Sequence, residues 1–349
     1  MKPKKQNPDF LYLGKKLLNW YRINARNLPW RSTRNPYKIW ISEIILQQTQ
    51  VKQGLQHYLN FVQRFPNVET LANADTDEVL LYWKGLGYYS RALNLYKAAQ
   101  QIITDFEGEF PQKYEEILKL KGVGKYTAAA IASICYHERK PAIDGNFYRV
   151  LSRLFADDYD ISQTGAFQYF SELALQMMPY EACGDFNQAI MDLGAEVCKP
   201  KQPLCQLCPL AADCMAWQTG AMAQFPVKTK KVKATDLALQ YYFVHFENRF
   251  LIRQRADDFI WKKLYEFPDA IPEDWLQFRQ SSIVLKHKLT HKNLEITIDT
   301  IALPSEALLE TLVKQYSYII VDTEASHQKS FPKPLEAFIQ QWEQRKNEG

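Results

Sequence analysis

Four closely spaced cysteines restrict the fold of this chain more than any other feature of its sequence. The segment CKPKQPLCQLCPLAADC contains Cys198, Cys205, Cys208 and Cys214, with the spacing C-x6-C-x2-C-x5-C. In a reducing compartment such a group favours a metal site over disulfides. Zinc ribbons and fingers usually join two separated cysteine pairs, and only one C-x2-C pair occurs here. An iron–sulfur cluster held by four thiolates therefore fits at least as well as zinc.

The composition indicates a globular chain of about two domains. The 349 residues are 46% hydrophobic and 13% aromatic, and the formal net charge is +4. This charge permits a nucleic-acid partner without requiring one. No apolar run approaches the about 18 residues of a membrane span. The N-terminal stretch MKPKKQNPDF lacks the apolar core of a signal peptide, so we expect a cytosolic protein with no membrane partner.

The hydrophobic period changes along the chain from helical to β. Segments such as LYLGKKLLNWY and GNFYRVLSRLF predict an all-α domain over residues 1–225 that includes the cysteine loop. The basic, aperiodic stretch 226–236 is typical of an interdomain linker. Beyond it, LALQYYFVHFE and RFLIRQRA alternate around Asn248 and predict a hairpin. Further strands and two helices predict an α+β domain over residues 237–349.

The stretch LKGVGKYTA nearly matches a nucleotide-binding loop, but its spacing excludes that class. Such a loop requires Ser or Thr after Gly-Lys, and here Tyr126 follows Lys125. The pattern instead predicts a helix, a tight turn at Gly122, Val123 and Gly124, and a second, alanine-rich helix. Backbone amides at such a turn suit a nucleic-acid phosphate. A helix–helix turn without any ligand remains the alternative.

Two carboxylates are candidates for acid–base chemistry. Glu43 lies in the apolar segment IWISEIIL, where desolvation should raise its pKa and keep it protonated, as a general acid requires. Asp144, in PAIDGNFYRV, precedes a new helix that either it or Asn146 could cap. A salt-bridged structural glutamate and a simple helix cap are the alternatives. Two carboxylates on neighbouring elements nevertheless suit cleavage of a glycosidic bond.

These motifs, in this order, resemble the helix-hairpin-helix base-excision DNA glycosylases that carry a 4Fe–4S cluster. The segments LPWR, SEIILQQTQV, GLGYYSRA and FNQAIMDLGAEVC are similar to those of the MutY-type adenine glycosylases. The β region resembles the C-terminal Nudix-like domain of that family. The resemblance implies a monomeric, bacterial-type enzyme, cytoplasmic and associated with the nucleoid. It would flip adenine mispaired with 8-oxoguanine (or guanine) out of double-stranded DNA, excise it by hydrolysis and leave an abasic site.

The resemblance also implies residue roles. Glu43 would protonate adenine, Asp144 would stabilise the sugar cation, and Tyr126 and Asn146 would support that charge. The adenine pocket would comprise Arg26, Trp30, Arg31, Leu46 and Gln188. Contacts to DNA and to 8-oxoguanine would come from Gln48, Thr49, Leu86, Tyr88, Gly122, Val123, Gly124, Lys125, Thr290 and His291. The four clustered cysteines would ligate the 4Fe–4S cluster.

The sequence departs from the family pattern at three places. Gln188 stands where some relatives have glutamate. The loop RQRADDFIWKKLYEFP, in its part Phe259–Tyr265, differs from the glycine and WEFP that are typical of the family. LTH replaces the more usual FSH, although Thr290 and His291 retain the hydroxyl and the imidazole. The acid-rich Nudix motif is missing, so we expect recognition from this domain and not nucleotide hydrolysis.

Two other functions would fit parts of this sequence. A bifunctional, endonuclease III-like glycosylase and lyase needs an amine for a Schiff base, and a lysine at the position of Tyr126 would supply it. Tyr126 and the additional domain argue against this activity. A non-catalytic iron–sulfur DNA-binding protein is the second alternative, and the presence of both Glu43 and Asp144 argues against it.

Overall fold

The computed structural model describes residues 9–230, 234–256 and 260–348, and these form two compact units. The first unit contains the described residues up to Asn73 and those from Asn94 to 230. The second contains Ala74–Leu93 and the described residues from 234 onward. Residues 231–233 of the expected linker and residues 257–259, which include the first residue of the atypical part Phe259–Tyr265, lie outside the described residues.

The first unit is helical throughout its described residues. Its α-helices are α1 (Phe10–Asn24), α2 (Pro36–Leu46), α3 (Val51–Arg64), α4 (Val68–Ala72), most of α6 (Ser90–Asp105), α7 (Tyr114–Ile117), α8 (Lys125–Tyr136), α9 (Gly145–Phe155), α10 (Ala166–Met177), α11 (Cys183–Asp192) and α12 (Met215–Gln218). Short 3-10 turns occur at Pro29–Arg31, Cys205–Leu207, Ala211–Asp213 and Met222–Gln224. A π-helical turn, Leu193–Val197, extends α11 toward the first clustered cysteine.

Side-chain caps define where the site-forming helices begin. Asn35 caps α2 through a bond from Lys38 N–H, and Pro36 occupies the first helical position, where its missing N–H costs nothing. Asp144 caps α9 by accepting from the N–H groups of Asn146 and Phe147. A core shared by α1, α9 and α10 contains the fully buried Leu17, Phe147 and Phe170.

The second unit is a mixed sheet with helices packed against it. Its strands are β1 (Thr235–Phe246), β2 (Arg249–Gln254), β3 (Tyr265–Glu266), β4 (Arg279–Lys288), β5 (Lys292–Ala302) and β6 (Ile319–Asp322). The strand order is β3-β2-β1-β5-β4, and β6 pairs with β2. Strands β1 and β5 run parallel, with Tyr241 opposite Ile298, whereas the other pairs are antiparallel. The helices are α5 (Thr76–Tyr82), α13 (Glu306–Gln315), α14 (Thr323–His327) and α15 (Lys333–Glu348), with a 3-10 turn at Glu273–Phe278.

An aromatic cluster forms the core of the second unit. The ring centroid of Phe243 lies 5.0 Å from those of Phe250, Phe267 and Phe338. Large aromatic rings bury much apolar area at low entropic cost, so this cluster holds the sheet to α15.

The predicted combination of an all-α region and an α+β region is confirmed: the described residues of the first unit are helical, and the second unit combines helices with a mixed sheet. The hairpin predicted around Asn248 is present as β1 and β2. The short elements α4, β3 and α14 were not predicted, because two to five residues carry too little periodicity. None of the described helices has the length and apolar character required to cross a membrane.

Candidate active site

One cavity of about 1050 Å³ in the first unit collects the predicted catalytic side chains. Glu43 reaches it from α2, Tyr126 from the first turn of α8, and Asp144 from the start of α9. Met191 on α11 contributes another part of the wall, and its sulfur lies 3.6 Å from the Tyr126 hydroxyl. Groups that are far apart in the sequence therefore face the same space.

Burial dominates the electrostatics of Glu43. It stands on a helix whose neighbouring side chains Ile39, Trp40, Ile44 and Ile45 are buried. Desolvation raises the pKa of Glu43 above its ordinary value. The hydrogen bond with Tyr126 and the charge of Arg31 lower this pKa, whereas the charge of Asp144 raises it further. The net result favours a protonated carboxyl group that can donate a proton.

Asp144 is held rigidly by three hydrogen bonds. Its Oδ1 accepts from the N–H groups of Asn146 and Phe147, each at 2.9 Å, and its Oδ2 accepts from Asn146 Nδ2 at 2.7 Å. Burial raises the pKa of Asp144, and these bonds oppose that increase because they stabilise the carboxylate. The same contacts make Asp144 the helix cap and fix its position in the cavity.

Asn146 connects Asp144 to the cysteine loop. Its Oδ1 accepts from Arg149 Nη2 at 2.7 Å, and the same guanidinium donates to Gly194 O at 2.9 Å and to Cys198 O at 2.7 Å. A Cβ atom on Gly194 would lie 2.6 Å from Asn146 Cβ, so only glycine permits this close approach. Arg149 and Gly194 were missed from the sequence, because neither role is visible without the tertiary contacts.

A buried acid organises the predicted adenine pocket. Asp192 accepts from Arg26 Nη2 at 2.6 Å and from Arg31 Nη2 at 3.0 Å, and its side chain is 1% exposed. Tyr21 donates to Gln188 Oε1 at 2.6 Å and accepts from Arg31 Nη1 at 2.8 Å. Sequence reasoning missed both Asp192 and Tyr21. The spacing of Asp192, four residues after Gln188 and on the same face of α11, is the signal that could have identified it.

The turn before α8 is shaped by glycine. Gly122 has φ +75, and a Cβ there would lie 2.5 Å from Asn94 Cβ. The Val123 amide donates to Leu120 O at 3.1 Å, and its side chain is buried. No side chain caps α8, whose first bond runs from Ala128 N to Gly124 O, so the first-turn amides that begin at Lys125 are suited to an anion.

Two predicted DNA contacts adopt an unusual backbone conformation. Gln48, at the rim of the cavity, has φ 56, and Tyr88, in the second unit, has φ 49. Non-glycine residues rarely occupy this left-handed region, and such strain concentrates at functional sites. The Tyr88 side chain is 47% exposed, whereas that of Leu86 is buried. Arg91 donates to Leu86 O and to Gly87 O, each at 3.1 Å, and so braces this turn.

The four clustered cysteines surround one small cavity of about 20 Å³. Burial, together with the neighbouring sulfurs of Cys198, Cys214 and Cys205, raises the pKa of the Cys208 thiol to about 12. Arg153, which is 3% exposed, donates to Lys199 O, to Pro200 O and to Cys198 Sγ. Four cysteine sulfurs around one space are the donor set of an iron–sulfur cluster, whose iron would stabilise them as thiolates. Among the described residues, no group of three or more His, Cys, Asp or Glu side chains has an arrangement that could hold a single metal ion.

Thr290 and His291 lie in the second unit, in the turn between β4 and β5. The Tyr88 hydroxyl lies 2.5 Å from Thr290 Oγ1. Both residues line a groove of about 590 Å³ that also contains His287 and Lys288. The described residues that line this groove all belong to the second unit.

The structure therefore divides the predicted residues into separate groups. The cavity of the first unit is lined by Arg26, Trp30, Arg31, Glu43, Leu46, Gln48, Thr49, Gly122, Gly124, Lys125, Tyr126, Asp144, Asn146 and Gln188. The four cysteines form their own site, and the groove of the second unit contains Tyr88, Thr290 and His291. Val123 and Leu86 are buried and line neither space.

Comparison with protein families identifies two regions of the chain. Residues 41–174 match the HhH-GPD superfamily of base excision DNA repair proteins, and residues 240–341 match the NUDIX domain. Among solved structures, a thermostable thymine-DNA glycosylase is 31% identical with a TM-score of 0.57, covering 60% of this chain and 97% of that chain. Endonuclease III in a complex with DNA is 21% identical with a TM-score of 0.52, covers 60% of this chain and 95% of its own, and shares the fold.

Similarity to curated proteins extends over nearly the whole chain. The adenine DNA glycosylase of Homo sapiens is 42% identical over 58% of this chain and 39% of its own length. That of Buchnera aphidicola subsp. Schizaphis graminum is 35% identical over 93% of this chain and 96% of its own length. This full-length similarity confirms the resemblance found in the sequence and shows that the chain belongs to the adenine DNA glycosylase family.

Proposed function

We propose that this protein removes adenine from double-stranded DNA by hydrolysing the N-glycosidic bond, with adenine opposite 8-oxoguanine as its preferred substrate. The observation that carries the proposal is the convergence of Glu43, Asp144 and Tyr126 on one cavity. The cavity is large enough to receive an extruded base. The names of the full-length relatives supply the identity of that base.

Glu43 acts as the general acid. Its raised pKa keeps it protonated, and it transfers this proton to N7 of adenine. The bond between the sugar C1′ and the base N9 then breaks, and its electron pair leaves with the base. Arg31 lowers the same pKa and so limits how strongly Glu43 retains its proton.

Asp144 stabilises the positive charge that this cleavage leaves on the sugar. Its carboxylate is already oriented by Asn146 and Phe147, so little reorganisation is required when the charge develops. Water adds to the cationic carbon and loses a proton, which yields the abasic sugar. Tyr126 hydrogen-bonds with Glu43 and helps to align it.

The proposed enzyme is monofunctional. Strand cleavage by a lyase route begins with a Schiff base between an amine and the abasic sugar, and the phenol of Tyr126 cannot form one. Lys125 lines the cavity, but its ammonium lies 4.9 Å from the Phe167 ring centroid in a cation–π contact. The strand therefore remains intact after the base is released.

Selection of adenine depends on a preorganised pocket. Tyr21 fixes Gln188, and Asp192 fixes Arg26 and Arg31, so their donors and acceptors meet the base without further ordering. Trp30 and Leu46 add apolar wall. The first-turn amides of α8 hold a backbone phosphate near the extruded nucleotide.

We assign recognition of 8-oxoguanine to the second unit and to Gln48 and Tyr88, the two residues with an unusual backbone conformation. Gln48 and Tyr88 fill the space that the adenine leaves, as side chains inserted into a base stack do. Thr290 and His291 then contact the 8-oxoguanine. The protein binds the duplex as a monomer.

We also propose that Cys198, Cys205, Cys208 and Cys214 hold a 4Fe–4S cluster. The common cavity that they line and the buried Arg153 that ties their loop together support this assignment. When bound, the cluster links the loop covalently and stabilises the unit that contains the cavity. Iron and sulfide analysis of Cys208→Ser beside Cys183→Ser tests this assignment. Cys183 is buried away from the cluster cavity, so its variant should keep full iron content.

Single-turnover base release is the decisive test of the proposed function. Duplexes with adenine opposite 8-oxoguanine or opposite guanine are incubated with the protein, and strands are analysed with and without alkali. We expect adenine release that is faster opposite 8-oxoguanine, with strand breaks only after alkali. Breaks without alkali would contradict monofunctionality, and tight binding without release would contradict the enzyme itself.

A further inference from the structure

Asp77 is the meeting point of three hydrogen bonds within the second unit. It lies in the first turn of α5, in the segment Ala74–Leu93 that this unit includes. Its Oδ2 accepts from Tyr265 Oη at 2.6 Å and from Lys329 Nζ at 3.1 Å, and its Oδ1 accepts from Gln254 Nε2 at 2.8 Å. One carboxylate thus joins α5 to three separate points of the sheet region.

The donors of this network are themselves held in place. Gln254 and Tyr265 are cross-strand partners in β2 and β3, so their side chains reach Asp77 from a fixed ladder. Lys329 also donates to Tyr265 Oη at 3.2 Å and lies 4.8 Å from the centre of that ring. Hydrogen bonds to a charged group are about twice as strong as neutral ones. With Asp77 and Lys329 each 28% exposed, the network is sheltered from much of the solvent screening.

The segment Ala74–Leu93 makes two further polar contacts with the rest of the second unit. Lys84 Nζ lies 2.7 Å from Glu336 Oε1, and the Tyr88 hydroxyl lies 2.5 Å from Thr290 Oγ1. Tyr88 is in a strained conformation, and Arg91 holds the carbonyls immediately before it. The segment therefore has one strong attachment at its start and an exposed aromatic side chain near its end.

We propose that Asp77 is a positioning residue that keeps Tyr88 next to Thr290 and thereby sets the preference for 8-oxoguanine. The inference rests on the proposed function and adds a residue that touches neither the base nor the sugar. Tyr88 and Thr290 must act on the same nucleotide, so their spacing has to be fixed before binding. A rigid attachment at Asp77 holds the segment in place before binding, so DNA binding costs less conformational entropy.

The structure offers a matched control on the same helix. Asp75 caps α5 by accepting from Asp77 N–H at 2.7 Å. Asp75→Ala therefore destabilises the start of α5 but retains the side-chain hydrogen bonds of Asp77. It shows what a general loss of helix stability would do. Asp77→Ala removes that network.

Single-turnover release from adenine opposite 8-oxoguanine and opposite guanine separates the two effects. For Asp77→Ala we expect the ratio of the two rates to fall by about tenfold, since charge-assisted bonds are lost. The fall should come from the 8-oxoguanine duplex, with the guanine duplex unchanged, and Asp75→Ala should keep the wild-type ratio. Asp77→Asn preserves the shape but not the charge, so it should give a smaller fall and replaces the alanine variant if that variant does not fold.

A double variant tests the route through Thr290. If Asp77 acts by positioning Tyr88 beside Thr290, Asp77→Ala combined with Thr290→Ala should lose little more of the ratio than Thr290→Ala alone. An unchanged rate ratio in folded Asp77 variants would overturn the inference. So would an equal loss of rate on both duplexes, or a fall of the ratio in Asp75→Ala as large as that in Asp77→Ala. A wild type without preference for 8-oxoguanine would instead overturn the proposed recognition, and this inference with it.

Discussion

The cavity of the first unit and the groove of the second differ most in where their carboxylates are. Glu43 and Asp144 are half-buried among the apolar helices that line the cavity, and desolvation raises the pKa of both. The groove has no Asp or Glu among the described residues that line it, and it contains Lys262, Lys288, Lys292 and Lys333. A partly desolvated acid pair suits bond cleavage, whereas an acid-free basic groove suits contact with a polyanion. In the proposed function, the first region carries out the chemistry and the second contributes recognition.

The largest effect should come from the general acid. Glu43→Gln keeps the volume of the side chain but cannot donate a proton to the base as a carboxylic acid does. We expect the single-turnover rate of adenine release to fall by about 10²- to 10⁴-fold, while affinity for the duplex is retained. If the rate falls because binding is lost, the cavity is a recognition surface and the division between the units fails.

A smaller loss is expected from disturbing the support of Asp144. Gly194→Ala would place a methyl group against Asn146, which donates to Asp144 Oδ2. Displacement of catalytic groups by about 1 Å can cost up to about 10²-fold in rate, and we expect a loss on that scale on both duplexes. Thermal unfolding of the same samples is the control, because it shows how much of each sample is folded. If the folded variant released adenine at the wild-type rate, the proposed contact would be contradicted.

The pH dependence should report the carboxyl pair. In the proposed mechanism release requires protonated Glu43, so the rate should decline as pH rises through the raised pKa of this residue. Arg31 lowers that pKa, and Arg31→Gln should therefore move the declining limb to higher pH, whatever the change in maximal rate. Rate profiles of both proteins at saturating enzyme provide the measurement, and a shift to lower pH would be inconsistent with the assigned acid.

The smallest effect should be confined to the second unit. Thr290→Ala removes one hydroxyl, which lies beside Tyr88. Loss of one hydrogen bond corresponds to a change of about tenfold or less, and we expect it only in release opposite 8-oxoguanine. Tyr88→Phe removes the other hydroxyl of this contact and keeps the ring, so it shows how much of the change belongs to the contact itself. Equal slowing opposite guanine would show that the groove takes part in catalysis.

The two regions also differ in how much of them the sequence predicts. The clustered cysteines, the turn before α8 and the apolar helix around Glu43 are local patterns, and each occurs where the sequence predicts it. The long helices and strands follow their hydrophobic periods for the same reason. Short elements such as β3 and α14 carry no such period, so they were not predicted.

Supporting residues were hidden because their partners are distant in the chain. Asp192 is buried against arginines more than 160 residues away, and Arg149 reaches Cys198 across 49 residues. Nothing near Asp77 in the sequence indicates its bonds to Tyr265 and Lys329. Pairing of this kind depends on the packed chain.

By itself, the sequence determined the all-α and α+β regions, the cysteine set and the two candidate carboxylates, since period, spacing and residue type are local properties. Only the tertiary structure decided that Glu43, Tyr126 and Asp144 share one cavity and that Ala74–Leu93 joins the second unit. Both outcomes depend on packing between distant segments, where burial sets the pKa of Glu43 and hydrogen bonds select the partners of Asp77.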